Sequence, residues 1–157
     1  MRFPSRTWQT WLGGPAAVLL LACAAPAYAA LGQGAASITA DGTPVAQRAL
    51  QALASGVTAQ SVTTPAGVLV TEYVSQGVVF AVTWSGPVMP DLPGLLADAF
   101  PALHAWLAAH PGPPNQPLRM DTAQLVVHAD GHMRAFSGVA YLPAQVPTGF
   151  DISQLDN

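Results

Sequence analysis

Glu72 is the only glutamate in a 157-residue chain that carries eight acidic residues, five basic ones and no lysine. It stands in "VLVTEYV", where Val68, Val70 and Val74 occupy the alternate positions, so an extended backbone turns its carboxylate onto an apolar face. A carboxylate in such a place is costly unless it is paired or protonated. Paired, with Arg134 as the best partner, Glu72 is a structural ion pair, and on a face left open to water it needs no partner at all. Protonated in an apolar pocket, it is an acid of raised pKa or a ligand-binding carboxylate, the group an acid-dependent hydrolase or isomerase would use. His128 and His132 form an H-x-x-x-H spacing that raises the question of a metal. A two-residue turn at Asp130-Gly131 would send the imidazoles to opposite faces, and a three-residue loop over Ala129-Asp130-Gly131 would make them cross-strand neighbours. Even then Arg134 projects on their face, and no third and fourth ligand stand at fixed spacing. They read as turn and surface histidines, and the expectation is no metal and no other cofactor. Thr83, Ser85 and Ser137 lie near strand ends without a local base, which suits cross-strand hydrogen bonding better than nucleophilic attack. There is no G-x-S-x-G, H-E-x-x-H or G-x-x-x-x-G-K-[ST].

The elements that must position these residues begin after a leader. "MRFPSRTWQTWLGGPAAVLLLACAAPAYA", residues 1–29, has Arg2 and Arg6 ahead of an apolar stretch and Ala27 and Ala29 at a cleavage site, the pattern of a secretory signal. Its apolar core is shorter than the ~20 residues of a membrane span. A competing reading is lipidation at Cys23, in "LLAC". Cleavage after Ala29 removes the only cysteine, so no disulfide staples the domain, and it leaves Arg48, Arg119 and Arg134 against eight acidic residues. So few cations cannot neutralise many phosphates, which excludes nucleic acid as a partner.

Residues 30–43 have no period and read as a mobile lead-in, and a single domain is expected over 44–147 with a tail over 148–157. "TPVAQRALQALASG" reads as a short helix, with Thr43 at the N-cap, Pro44 at the first helical position and Gly56 as the stop. Three strands follow, "VTAQSVTT", "VLVTEYV" and "VVFAVTW", joined by "PAG" and "SQG", two three-residue hairpin loops whose glycines can take a left-handed backbone. Pairing Val74 with Val78 across "SQG" puts Glu72 opposite Phe80 and Val70 opposite Val82, with the apolar residues on one face. After "SGPVMP" a helix starts at Asp91 and runs about four turns, interrupted at Pro101 by a kink or a junction of two short helices. "HPGPPNQP" is an extended connector, and "AQLVVHADGHMRAFSGVAYLP" is a second hairpin turning at Asp130-Gly131. The class is α+β: an antiparallel sheet of about five strands with the proline-broken helix on one face.

Two surfaces could receive a partner. Trp84, Pro87 and Met89, at the corner after the third strand, would form an apolar contact patch if exposed, and the strand over Thr58–Thr64 would accept an added strand if its edge were bare. With catalytic signatures missing, the leading expectation is a non-enzymatic envelope protein that binds a protein partner or a small apolar ligand. "GVVFAVTWSGPVMPDL" and "LVVHADGHMRAFSGVAYLP" together resemble the bacterial exported family catalogued as domain of unknown function 2844. The resemblance implies an envelope or secreted location and brings no activity, cofactor or catalytic residue with it.

Overall fold

The computed structural model describes residues 31–34, 43–48 as backbone, 56–113 and 116–155. The leader over 1–29 with Cys23, most of the lead-in and the end of the expected first helix lie outside the described residues. Among the described residues seven strands form one antiparallel sheet: β1 (Thr43–Arg48), β2 (Val57–Thr63), β3 (Leu69–Ser75), β4 (Val78–Gly86), β5 (Leu118–Asp121), β6 (Val126–His132) and β7 (Ala135–Tyr141), in the spatial order β1-β2-β3-β4-β7-β6-β5. Between β4 and β5 the chain makes α1 (Leu92–Leu96), a tight turn over Ala97–Ala99 and α2 (Phe100–Ala109). The α+β class holds, with more strands than expected.

The two extra strands come from segments read otherwise. Residues 43–48 are not a helix; they pair with β2, Thr43 opposite Thr63. Pro44 suits that position because an outermost strand can spare a backbone donor. This strand covers the edge of β2, so the strand over Thr58–Thr64 is not bare and does not meet the condition for accepting an added strand there. "LRMD" after the proline-rich connector is the other addition and makes the opposite edge against β6.

Both turns of the meander use glycine, in different ways. Pro65-Ala66-Gly67 is the expected three-residue loop: Thr64 N–H donates to Val68 C=O at 2.9 Å, and Gly67 has φ +78°. The second loop has two residues. Gln76 and Gly77 both have positive φ, as a type I′ turn requires, and Ser75 pairs with Val78. The register then slips by one residue between Val74↔Val79 and Tyr73↔Ala81, leaving Phe80 as a bulge. Glu72 therefore lies opposite Val82 and Val70 opposite Trp84, and Phe80 joins the face opposite to the expected one.

That bulge lets Val79, Phe80, Ala81 and Val82 all be buried, because the sheet has a core on each side. On one side Leu95, Leu96 and Leu103 of the helical segment pack on Val70, Val82, Trp84 and Val127. The helical break falls just before Pro101, which sits in the first turn of α2, where its missing N–H costs nothing. Asp91 holds the N-cap position without a side-chain cap bond. Leu31 belongs to this core at 1% exposure; Gly32 N–H donates to Val79 C=O, and Val79 N–H donates to Gln33 C=O. This part of the expected lead-in is thus docked. On the other side Phe150 and Leu155, in the segment expected to be a tail, cover Tyr73, Phe80 and Val139, with the Phe80 and Phe150 rings edge to face at 5.2 Å.

Candidate binding site

Among the described residues, Phe150 and Leu155 cover this second side at the end of the sheet near Phe80. Away from it, the strand registers line up two rows of side chains two residues apart, which alternation sends to the same open face. One row runs Arg119, His128, Val139, Thr83, Thr71, Ser61, and the next runs Asp130, Ser137, Ser85, Leu69, Thr63. The central part forms a cleft of about 510 Å³, bordered at its covered end by Leu155. Hydroxyls dominate its floor. Ser61 and Thr71 share a hydrogen bond of 2.8 Å. Burial holds the Tyr73 phenol above its ordinary pKa of 10.0, and the Thr83 hydroxyl, hydrogen-bonded to it, works in the opposite direction.

The charged groups stand along the β5–β6 side. Arg119 Nη2 donates to Asp130 Oδ2 at 2.6 Å, with both side chains 46% exposed. His128 Nε2–H donates to Asp121 Oδ1 at 2.8 Å. Each of these contacts is diagonal across one strand pair, since Arg119 lies opposite His128 and Asp121 opposite Val126. The registry thus places a cationic or donor group against a carboxylate twice over.

The structure disperses the residues that drew attention in the sequence. Glu72 is 3% exposed on the helix side of the sheet and lines neither this cleft nor the one beside Phe80, Val146 and Pro147. Arg134 sits in the β6–β7 turn, whereas Glu72 is level, through Val82, with Ala140 at the far end of β7. At ~3.3 Å per residue that offset alone is about 20 Å, so the two do not pair. The hairpin turns at Met133-Arg134, with His132 opposite Ala135 and Arg134 at φ +66°, rather than at Asp130-Gly131. The reason is packing: the Phe136 ring lies where a Cβ on Gly131 would stand, so Gly131 serves inside the strand. His128 and His132 consequently share one strand and one face, separated by roughly 13 Å at ~3.3 Å per residue, too far to share an ion. Among the described residues no three His, Cys, Asp or Glu side chains gather as a metal site.

Trp84 is 2% exposed and cannot form a surface patch; its ring lies over Gly138, whose missing Cβ leaves the room. Its indole N–H meets no acceptor among the described residues, so packing alone holds it. Pro87 and Met89 are exposed at the corner, Met89 by 41%. On the helix, His110 Nδ1–H donates to Trp106 C=O at 2.9 Å and stacks on its indole, a C-terminal cap. No helix among the described residues is long and apolar enough to cross a membrane.

Sequence reasoning noticed the hydroxyls of Thr83, Ser85 and Ser137 but not their union with Thr71, Arg119, Asp121 and Asp130. The signal was there as polar residues two apart, Thr83 and Ser85, His128 and Asp130, Arg119 and Asp121. Only the register joins them. A family model described as "Protein of unknown function (DUF2844)" matches residues 27–155. No curated protein and no solved structure matches the chain.

Proposed function

The chain belongs to the DUF2844 family, and from that premise we propose that it is an exported bacterial envelope protein acting as a non-catalytic binding module, with its ligand held on the polar face of the sheet. The observation that carries this reading is the gathering of Thr71, Thr83, Ser85 and Ser137 with the Arg119–Asp130 ion pair and the His128 imidazole in one open cleft, while the helix closes the other face. Its volume of about 510 Å³ falls within the ~300–1,000 Å³ of small-molecule sites. Export rests on the leader over residues 1–29. The acid-dependent hydrolase or isomerase draws no support from these two clefts, neither of which Glu72 lines. An apolar ligand has little support, because the Trp84 ring it would lie on is buried.

A photo-crosslinking residue placed at Ser137 in living cells, with one at exposed His104 on α2 as control, tests the reading by the mass of the recovered protein. An adduct formed from the cleft and not from the helix is expected. Equal labelling from both, or none from Ser137, refutes it. A second reading is an accessory factor that docks a protein partner through exposed apolar residues, and it is favoured by Val88 at 43%, Met89 at 41% and Met133 at 93% exposure.

A further inference from the structure

Resting on the binding-module reading, we infer that the ligand class of the cleft is a neutral saccharide. Charge is the first reason. Arg119 is held by Asp130 at 2.6 Å and His128 by Asp121 at 2.8 Å, so an anion must displace a carboxylate from the guanidinium and a cation meets that guanidinium first. A ligand without net charge meets neither obstacle.

Hydrogen-bond capacity is the second. The floor carries the hydroxyls of Thr71, Thr83, Ser85 and Ser137; a hydroxyl can donate one hydrogen bond and accept two, and Thr71 and Thr83 spend part of that capacity on Ser61 and Tyr73. A sugar hydroxyl has the same dual character, so the two sets can match in several orientations along a row. Carboxylate and guanidinium side by side add an acceptor and a donor, which suits adjacent hydroxyls on a ring. A peptide, by contrast, offers main-chain N–H and C=O groups that pair with a strand edge. The cleft lies on a sheet face, where the backbone groups are already committed to the ladders on both sides.

The third reason is the apolar remainder. Leu69, 38% exposed, lies within the hydroxyl rows, where the C–H face of a pyranose can rest on it. With the Trp84 ring turned to the opposite side, the cleft lacks that indole as a stacking platform, and the affinity is weak, roughly millimolar.

The test is a titration of the ¹⁵N-labelled protein, expressed as the full chain and recovered as the cell leaves it, with maltotriose, cellotriose and tri-N-acetylchitotriose, and separately with inorganic phosphate and trialanine. Saturable shifts of the Thr71, Thr83, Ser85 and Ser137 amides with at least one saccharide are expected, weakened at least tenfold in a Ser85→Ala/Ser137→Ala variant whose unfolding curve matches the parent. No saturable shift with any of the three, shifts confined to other parts of the sheet, or a response of these amides to phosphate or trialanine alone overturns the saccharide assignment. The in-cell adduct at Ser137 separates the two failures: with it present, only the ligand class falls, and without it the binding face falls as well.

Discussion

Replacing Gly138 with alanine tests the packing that keeps Trp84 beneath the sheet and the polar cleft above it. Gly138 sits between Trp84 on β4 and Ala129 on β6. A Cβ there would run into the Trp84 ring and come within 2.7 Å of the His128 carbonyl oxygen. The ring is 2% exposed under the helical segment, and the carbonyl belongs to the backbone of a central strand, so neither has room to retreat. Overpacking of this kind costs about 1–3 kcal/mol, and two rigid obstacles push the figure to the upper end. Alanine recovers about 0.5–1 kcal/mol of it by restricting the unfolded chain, which leaves a net loss of about 2 kcal/mol. For a domain of this length, that is a melting temperature lower by roughly 8 °C. Urea unfolding followed by circular dichroism measures it, with Gly77→Ala as the comparison. Gly77 has φ +82° and nothing within 4 Å of its absent Cβ, so that variant carries only the left-handed backbone cost, about 1 kcal/mol. If Gly138→Ala stays within about 0.5 kcal/mol of the parent, the scatter of ordinary surface changes, the ring does not lie over Gly138. Trp84 would then return to the surface-patch reading.

Three further outcomes follow from burial. The raised phenol of Tyr73 favours its neutral form in the fold, so the stability it confers is complete below the unfolded value near pH 10.0 and is lost as pH rises through the folded value; Tyr73→Phe should flatten the alkaline fall of the urea midpoint, and an unchanged fall would place the tyrosine elsewhere. Dilute hydrogen peroxide should convert Met133, 93% exposed, to its sulfoxide first, Met89 next at 41% and Met120 last at 2%, read by peptide mass spectrometry; early oxidation of Met120 contradicts the sheet. Leu31→Ala should cost about 2–4 kcal/mol because the side chain is 1% exposed in the helix-side core, and unchanged stability would mean that the segment over 31–34 is not docked.

The parts of the fold legible in the sequence were those where period and punctuation agree. Leu95, Leu96 and Leu103 announce a helix face, Pro101 announces its interruption, and "PAG" announces a loop with Gly67 in the left-handed region. The failures share a physical cause, which is that a tertiary partner decided between local alternatives. "TPVAQR" carries a good helix start, yet β2 offers it a ladder, and the ladder prevails. Asp130-Gly131 is a better turn sequence than Met133-Arg134, yet Phe136 needs the space above Gly131, and the turn moves three residues on.

The candidate site was hidden by the same effect at one residue. A hairpin without a bulge divides its side chains between two faces by simple alternation, so a chain with Val79, Phe80, Ala81 and Val82 in succession looks as though one face must be mismatched. The bulge at Phe80 resolves the mismatch by sending Phe80 and Ala81 to the same side. Past that point the alternation resumes with Thr83 and Ser85 on the side opposite the helix, and the open face becomes a polar one. A single inserted residue therefore separates the Glu72 side, closed by the helix, from the hydroxyl side, open to a ligand. Deleting Phe80 should remove the bulge and leave Val74↔Val79 and Tyr73↔Ala81 as consecutive pairs, so that Val82 and Trp84 stay on the helix side and Thr83 and Ser85 stay on the open face. Loss of the Thr83 and Ser85 amide shifts with a bound saccharide in a folded deletion variant would refute the role given to the bulge.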